Sequence, residues 1–197
     1  TIQNFKFLAA DKVESVKQMF WKCGSLETID LSDSGAPANC KDYSFCFSIT
    51  SSTMERNVAL KSVKLPVDFA NNISKVEKFE NVFLGNSQMH TIENLSLNMP
   101  KCTSMEKLFM NCSSLVNVNL SDIRPSTEEP VNISYMFYDC RGLRGELDLS
   151  NINKIGDMKC AFSTASGVTS IKFKKGVLDL CVLSLINQDE MYGYGLK

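Results

Sequence analysis

Apolar residues recur along the chain at relative positions 0, 3 and 5: Ile2, Phe5, Phe7; Leu26, Ile29, Leu31; Leu60, Val63, Leu65; and, less regularly, Met89, Ile92, Leu95. Three more sets occur, at Leu115, Val118, Leu120, at Leu143, Leu147, Leu149, and at Val168, Ile171, Phe173. Successive sets start 24, 34, 29, 26, 28 and 25 residues apart, which is the spacing of a solenoid coil. Residues two apart share one face of a strand, so Ile29 and Leu31 point inward while Thr28 and Asp30 project from the opposite face. Upstream of each strand the spacing changes. Val13, Val16 and Phe20 lie three and four apart, as do Val76, Phe79 and Phe83, which predicts a short helical face in each coil.

A longer phrase links these halves. Met19 to Ser32 (MFWKCGSLETIDLS) returns as Leu108 to Ser121 (LFMNCSSLVNVNLS) and again from Met136 to Ser150, with one residue inserted near Gly145. Phe20, Phe47, Phe83, Phe109, Phe137 and Phe162 share one register, which predicts a column of rings inside the stack. The expected fold is an α/β solenoid: a leucine-rich-repeat-like right-handed superhelix with one parallel β-sheet of about seven short strands and short helical turns opposite. Residues 1–197 form a single domain, with repeats over 1–175. The apolar stretch from Val177 to Ile186 predicts a C-terminal helical cap over 176–197, because a terminal coil exposes apolar surface unless something covers it.

This phrase resembles the repeat of the BspA-type leucine-rich-repeat proteins, bacterial surface proteins with related repeat proteins in some parasites and phages. The resemblance is carried by the copies at Phe20, Phe109 and Phe137. In the Phe83 copy Asn86 occupies the cysteine position, and the Phe47 copy carries an insertion before Leu60. The resemblance implies a binding or adhesion protein located extracellularly or at the cell surface, with a virion as the alternative; it names no ligand.

Composition narrows the functions further. A chain of 197 residues with a formal net charge of −1 has no basic footprint for a phosphate backbone, so nucleic acid is not an expected partner. No apolar run approaches bilayer length, and the opening Thr1 to Phe5 lacks a charged n-region, so no direct membrane insertion and no signal peptide is expected in these residues. Asp33 to Asn39, Ser48 to Asn57 and Ser121 to Ser134 have loop composition.

Eight cysteines raise the question of chemistry. Cys23, Cys112 and Cys140 each come three residues after the repeat phenylalanine, which reads as an inward ladder of free thiols rather than bonded pairs. Cys40, six residues before Cys46, is the best candidate for a local bridge. There is no C-x-x-C pair for zinc, and the lone His90 has no nucleophile phrase beside it, so no metal, cofactor or catalytic residue is expected. The acidic residues are spread over different coils, and the sequons at Asn72, Asn94, Asn111, Asn119 and Asn132 are by-products of the repeat's Asn and Ser content.

The remaining chemistry lies on the outward strand positions: Thr28, Asp30, Ser62, Lys64, Thr91, Glu93, Asn117, Asn119, Glu146, Asp148, Ser170 and Lys172. On a curved solenoid this strip is a candidate binding face for a protein or glycan. Two functions compete. One is a non-enzymatic recognition module of a surface or secreted protein; the other is a structural repeat domain in a larger assembly such as a virion or surface layer. The sequence leaves the oligomeric state open.

Overall fold

A computed structural model of the protein describes residues 1–49 and 60–176. The chain winds into a parallel β-solenoid with little helix. Its strands are β1 (Thr28–Asp30), β2 (Ser62–Lys64), β3 (Thr91–Glu93), β4 (Val131–Asn132), β5 (Gly145–Asp148), β6 (Ile155–Asp157) and β7 (Val168–Lys172). Among the described residues the only α-helix is α1 (Phe69–Asn72), and a single 3₁₀ turn spans Ala10–Lys12.

The expectation of one seven-stranded sheet is corrected in two respects. The pairings form three sheets, β1-β2-β3, β4-β6 and β5-β7, all parallel. Of the seven apolar sets, those at Ile29, Val63, Ile92, Leu147 and Ile171 form strands, and Ile2 makes a single parallel bridge to Ile29. The set at Val118 forms none. Asparagine is a poor strand former, and Asn117 and Asn119 flank Val118, with the Asn119 side chain turned back to accept the N–H of Ser121. In the next coil the inserted residue is absorbed as a bulge: the β5–β7 register shifts between Gly145 and Glu146, and Gly145 sits at φ 78°.

The second correction concerns the other side of the coil, where β4 and β6 lie. Isolated parallel bridges Ser15↔Asp42↔Lys78↔Ser104↔Asn132 run into β4-β6 and make a second ladder along the stack. The chain beyond this ladder in each coil is not helical. From Met105 to Cys112, alternate N–H groups take different partners. Met105, Lys107, Phe109 and Asn111 donate to Asn132, Ser134, Met136 and Tyr138 of the next coil at 2.8–2.9 Å. Leu108, Met110 and Cys112 donate three residues back, to Met105, Lys107 and Phe109. An α-helix would direct its N–H groups along its own axis and leave none for the neighbouring coil.

The segment is therefore a run of tight turns, in which residues of positive φ recur. Lys107 (φ 55°) and Asn111 (φ 64°) bracket Phe109 two residues on either side. Gln18 and Lys22, Asn81 and Gly85, Tyr135 and Asp139, and Cys160 and Thr164 bracket Phe20, Phe83, Phe137 and Phe162 in the same way. The three-and-four spacing of Val76, Phe79 and Phe83 arises from this turn register.

The phenylalanine column is present. Phe20, Phe47, Phe83, Phe109, Phe137 and Phe162 stack face to face, with centroids 5.4–6.0 Å apart and planes within 18°. Phe5 and Phe173 close the two ends edge-on, at 73° and 75° to their neighbours. Around the column the core is continuous, with Met105, Leu108, Phe109, Leu115, Met136, Phe137 and Leu143 all buried. Close stacking also limits residue size: a Cβ on Gly142 would fall 2.7 Å from the Ser113 carbonyl oxygen.

Segments of loop composition differ in fate. Ser34, Ala36 and Cys40 are buried, with the Ala36 N–H bonded to Asp68, so residues 33–40 form a packed corner rather than a protruding loop. In the third segment Ile123, Pro125 and Ser126 are buried and the Thr127 to Pro130 stretch stands exposed. Residues 50–59 and the proposed cap from Val177 onward lie outside the described residues.

Phe109 has no solvent exposure. Phe109→Ala is expected to destabilise the chain by about 3–5 kcal/mol in urea unfolding. A cost below about 1 kcal/mol would mean that the ring column does not carry the fold.

Candidate binding face

The burial patterns agree with the predicted alternation. Ile29 and Val63 are buried within β1 and β2, and Leu147 within β5, while Thr28, Asp30, Ser62 and Lys64 are half-buried. Thr91, Glu93, Asn117, Asn119, Glu146, Asp148, Ser170 and Lys172 are exposed. β1 and β2 pair Thr28 with Ser62 and Asp30 with Lys64, and β2 and β3 pair Ser62 with Thr91 and Lys64 with Glu93. β5 and β7 align Glu146 with Ser170 and Asp148 with Lys172. Within each of these two sheets the outward residues therefore form two rows, one at the first and one at the second outward position of each rung, and Asn117 and Asn119 lie unpaired between the sheets in sequence.

The second row has a structural task that the apolar pattern does not reveal. Asp30 Oδ1 accepts both the N–H and the hydroxyl of Ser32, at 2.9 and 2.7 Å. Asp148 Oδ1 does the same for Ser150, at 2.9 and 2.6 Å. Asn119 accepts from the Ser121 N–H, and on the second ladder Asn132 and Asp42 accept from Ser134 and Ser44. Each is an Asx turn that starts the corner of its coil. Its signal in the sequence is the recurring Asp/Asn-x-Ser, in Asp30-Leu31-Ser32 and Asp148-Leu149-Ser150.

These bonds set the local electrostatics. Hydrogen bonds from Ser32 hold the Asp30 carboxyl below its ordinary value, with Lys64 adding attraction. Ser150 does the same for Asp148, helped by Lys172. The Lys172 ammonium lies 2.6 Å from Glu146 and is raised by that bond, and Lys61 lies 3.4 Å from Glu27 on the rim of the strip. Charge on the face is thus largely compensated from one rung to the next.

His90 stands exposed beside Thr91. The polar cleft at the end of the strip, lined by Gln3, Asn4, Phe5, Asp30, Ser32 and Asp33, holds about 110 Å³, well below the size of a ligand pocket. Trp21 is half-buried, with Lys22 4.6 Å above its ring. Among the described residues no helix is long and apolar enough to cross a membrane.

The thiols divide into two groups. Every described cysteine is free, so Cys40 and Cys46 are not bridged. Cys112 and Cys140 are fully buried and donate to the carbonyls of Phe83 and Phe109 in the preceding coil, at 3.1 and 3.0 Å. Asn86 takes that place one coil earlier, donating to the Phe47 carbonyl at 2.9 Å. Burial pushes the Cys102 and Cys140 thiols up to about 12 and raises Cys112 and Cys46 as well. Cys23, expected on the inward ladder, is exposed instead; it lies at the end of the stack, and Cys160 is also exposed.

With the coils and the face described, kinship can be assigned. Residues 52–174 match the family described as Mycoplasma protein of unknown function, DUF285. The chain belongs to that family. The matched span runs from before β2 through β7 and takes in the rings of Phe83, Phe109, Phe137 and Phe162, together with the closing Phe173. No curated protein and no solved structure matches the chain. The DUF285 description assigns no activity, so function rests on the face itself.

Two measurements check this arrangement. The Asp148 carboxyl should titrate below 3.8 by NMR, and Ser150→Ala should raise its midpoint. Because the folded value is depressed, the stabilisation is in place above the ordinary value and is lost as pH falls through the folded one. In thiol labelling read peptide by peptide, Cys23 and Cys160 should react in the native state, while Cys46, Cys102, Cys112 and Cys140 should react only on unfolding.

Proposed function

We propose that this DUF285 chain is a non-enzymatic recognition module of a cell-surface or secreted protein, related to the BspA-type repeat proteins, that takes a macromolecular partner on its sheet face. The reading is supported most by one observation: the outward residues of β3, β5 and β7 are held by ladder pairing, yet Thr91, Glu93, Glu146, Asp148, Ser170 and Lys172 remain exposed. A rigid, exposed, hydrogen-bonding strip binds at low ordering cost. Thr91, Asn117 and Asn119 at its centre carry hydroxyl and amide groups suited to a protein backbone or a glycan.

A second reading, a structural repeat domain in a larger assembly, draws on the ends of the solenoid. Ile2, Phe5, Phe7 and Val13 in the first coil are only partly buried, and Leu8 is fully exposed. Those apolar groups suit packing against a further coil as well as against a neighbouring molecule.

Asn119→Arg removes the exposed turn bond to Ser121, worth about 1 kcal/mol, and should lower the melting temperature by about 2–4 °C without unfolding the chain. On protein and glycan arrays it should abolish binding seen with the parent chain. Array binding that survives this change, or its complete absence in the parent, would remove the sheet face as the recognition site.

A further inference from the structure

We propose that the far end of the solenoid is a docking edge of four backbone N–H groups, and that its occupant is the chain's own segment 181–187, added as a further turn segment in place of a helical cap. This inference goes beyond the sheet face and does not depend on what that face binds.

One hydrogen-bond register carries it. At each of the five junctions between the six ring-bearing coils, the N–H groups four and two places before the ring, at the ring, and two places after it donate to the next coil. The acceptors are the carbonyls five, three and one places before the next ring and one place after it, at 2.7–3.2 Å throughout. Val16, Gln18, Phe20 and Lys22, for example, donate to Asp42, Ser44, Cys46 and Ser48.

In the Phe162 coil the same four places are Met158, Cys160, Phe162 and Thr164. Among the described residues none of these N–H groups has a partner, although Ala161, Ser163 and Ala165 close their turns within the coil. The next rung has nonetheless begun. β7 pairs with β5, and the Phe173 ring lies edge-on at 6.1 Å from Phe162. The strand half of that rung is in place; what the edge lacks is four carbonyls spaced two residues apart.

The spacing of the sequence identifies them. Where strand and ring lie closest along the chain, 13 residues separate Phe7 from Phe20 and Leu149 from Phe162. The same step from Phe173 reaches Ile186, which sets an apolar side chain in register with the ring column. All six coils carry a hydrophobic residue four places and one place before the ring, and Val182 and Leu185 occupy those positions. The acceptors are then the carbonyls of Cys181, Leu183, Leu185 and Asn187. A helix laid over the end would direct its carbonyls to its own N–H groups and leave the row unanswered. Left-handed backbone recurs two places to either side of the ring, which assigns it to Ser184 and Gln188.

Two measurements on the full chain test the proposal. In hydrogen exchange followed by NMR, the amides of Met158, Cys160, Phe162 and Thr164 should exchange at least about tenfold more slowly than unprotected ones. Ile186→Asp should remove that protection and leave the Phe109 amide protected. The double substitution Ser184→Gly, Gln188→Gly should raise the melting temperature by about 2–4 °C, because glycine relieves left-handed backbone; in a helix the same pair would lower it by a similar amount. Unprotected amides, protection that survives Ile186→Asp, or a melting temperature that falls or stays the same in the glycine variant would overturn the proposal.

Discussion

Coil-to-coil hydrogen bonding through the turn segment is the constraint on which the remaining structure depends. Every second N–H around Phe109 goes to the next coil, and the ones between close turns within the coil, so the backbone is satisfied in two directions at once. That division places a left-handed residue two places before and two places after the ring. It also fixes neighbouring coils at ladder spacing, which brings the phenyl rings to 5.4–6.0 Å with nearly parallel planes. The ring stack is thus a consequence of the ladder as much as a cause of the fold. Left-handed backbone costs about 1 kcal/mol or more at residues such as Lys107 and Tyr135, and burial of the rings offsets it.

The same constraint explains why Asn86, Cys112 and Cys140, each buried three places after a ring, are hydrogen-bond donors. The Phe83 carbonyl accepts the backbone N–H and the side-chain amide of Asn86, and the Cys112 thiol also donates to it from the next coil. Cysteine fits because it is small enough for the gap and its S–H can donate. Asn86 does the same work without sulfur, reaching the Phe47 carbonyl from the equivalent position, and in the Phe162 coil a buried Ala165 fills the place by size alone. Thiols raised by burial to about 12 at Cys140 are poor nucleophiles, which separates these cysteines from redox chemistry.

Much of this architecture is legible in the chain. The parallel rungs, the ring column and the inward or outward sense of residues 28–31 come from a period of two and from one repeated phrase. The turn segment is not, because Val76, Phe79 and Phe83 have the spacing of a helix face; what distinguishes them is the sign of φ at Asn81 and Gly85, which apolar periodicity does not encode. The second ladder is hidden for a related reason. It is mostly a line of single bridges, one residue per coil at Ser15, Asp42, Lys78 and Ser104, too short to leave an alternating pattern. The broken rung at Val118 is readable in principle, since two asparagines at the outward positions favour local side-chain bonding over pairing.

For the outward face, the sequence supplies the residues and the ladder supplies their order. Asp30, Lys64 and Glu93 are far apart along the chain, and only parallel in-register pairing turns them into an alternating column. Alternation has two effects that pull in different directions. Neighbouring rungs attract, which offsets the repulsion that a column of one sign would impose on a stack of coils. It also leaves little net field, so the face does not draw in highly charged polymers from a distance. Recognition then depends on matching the order of charges at close range. Under the proposed function, a partner would engage the neutral positions at Thr91, Asn117 and Asn119 rather than a stripe of one charge.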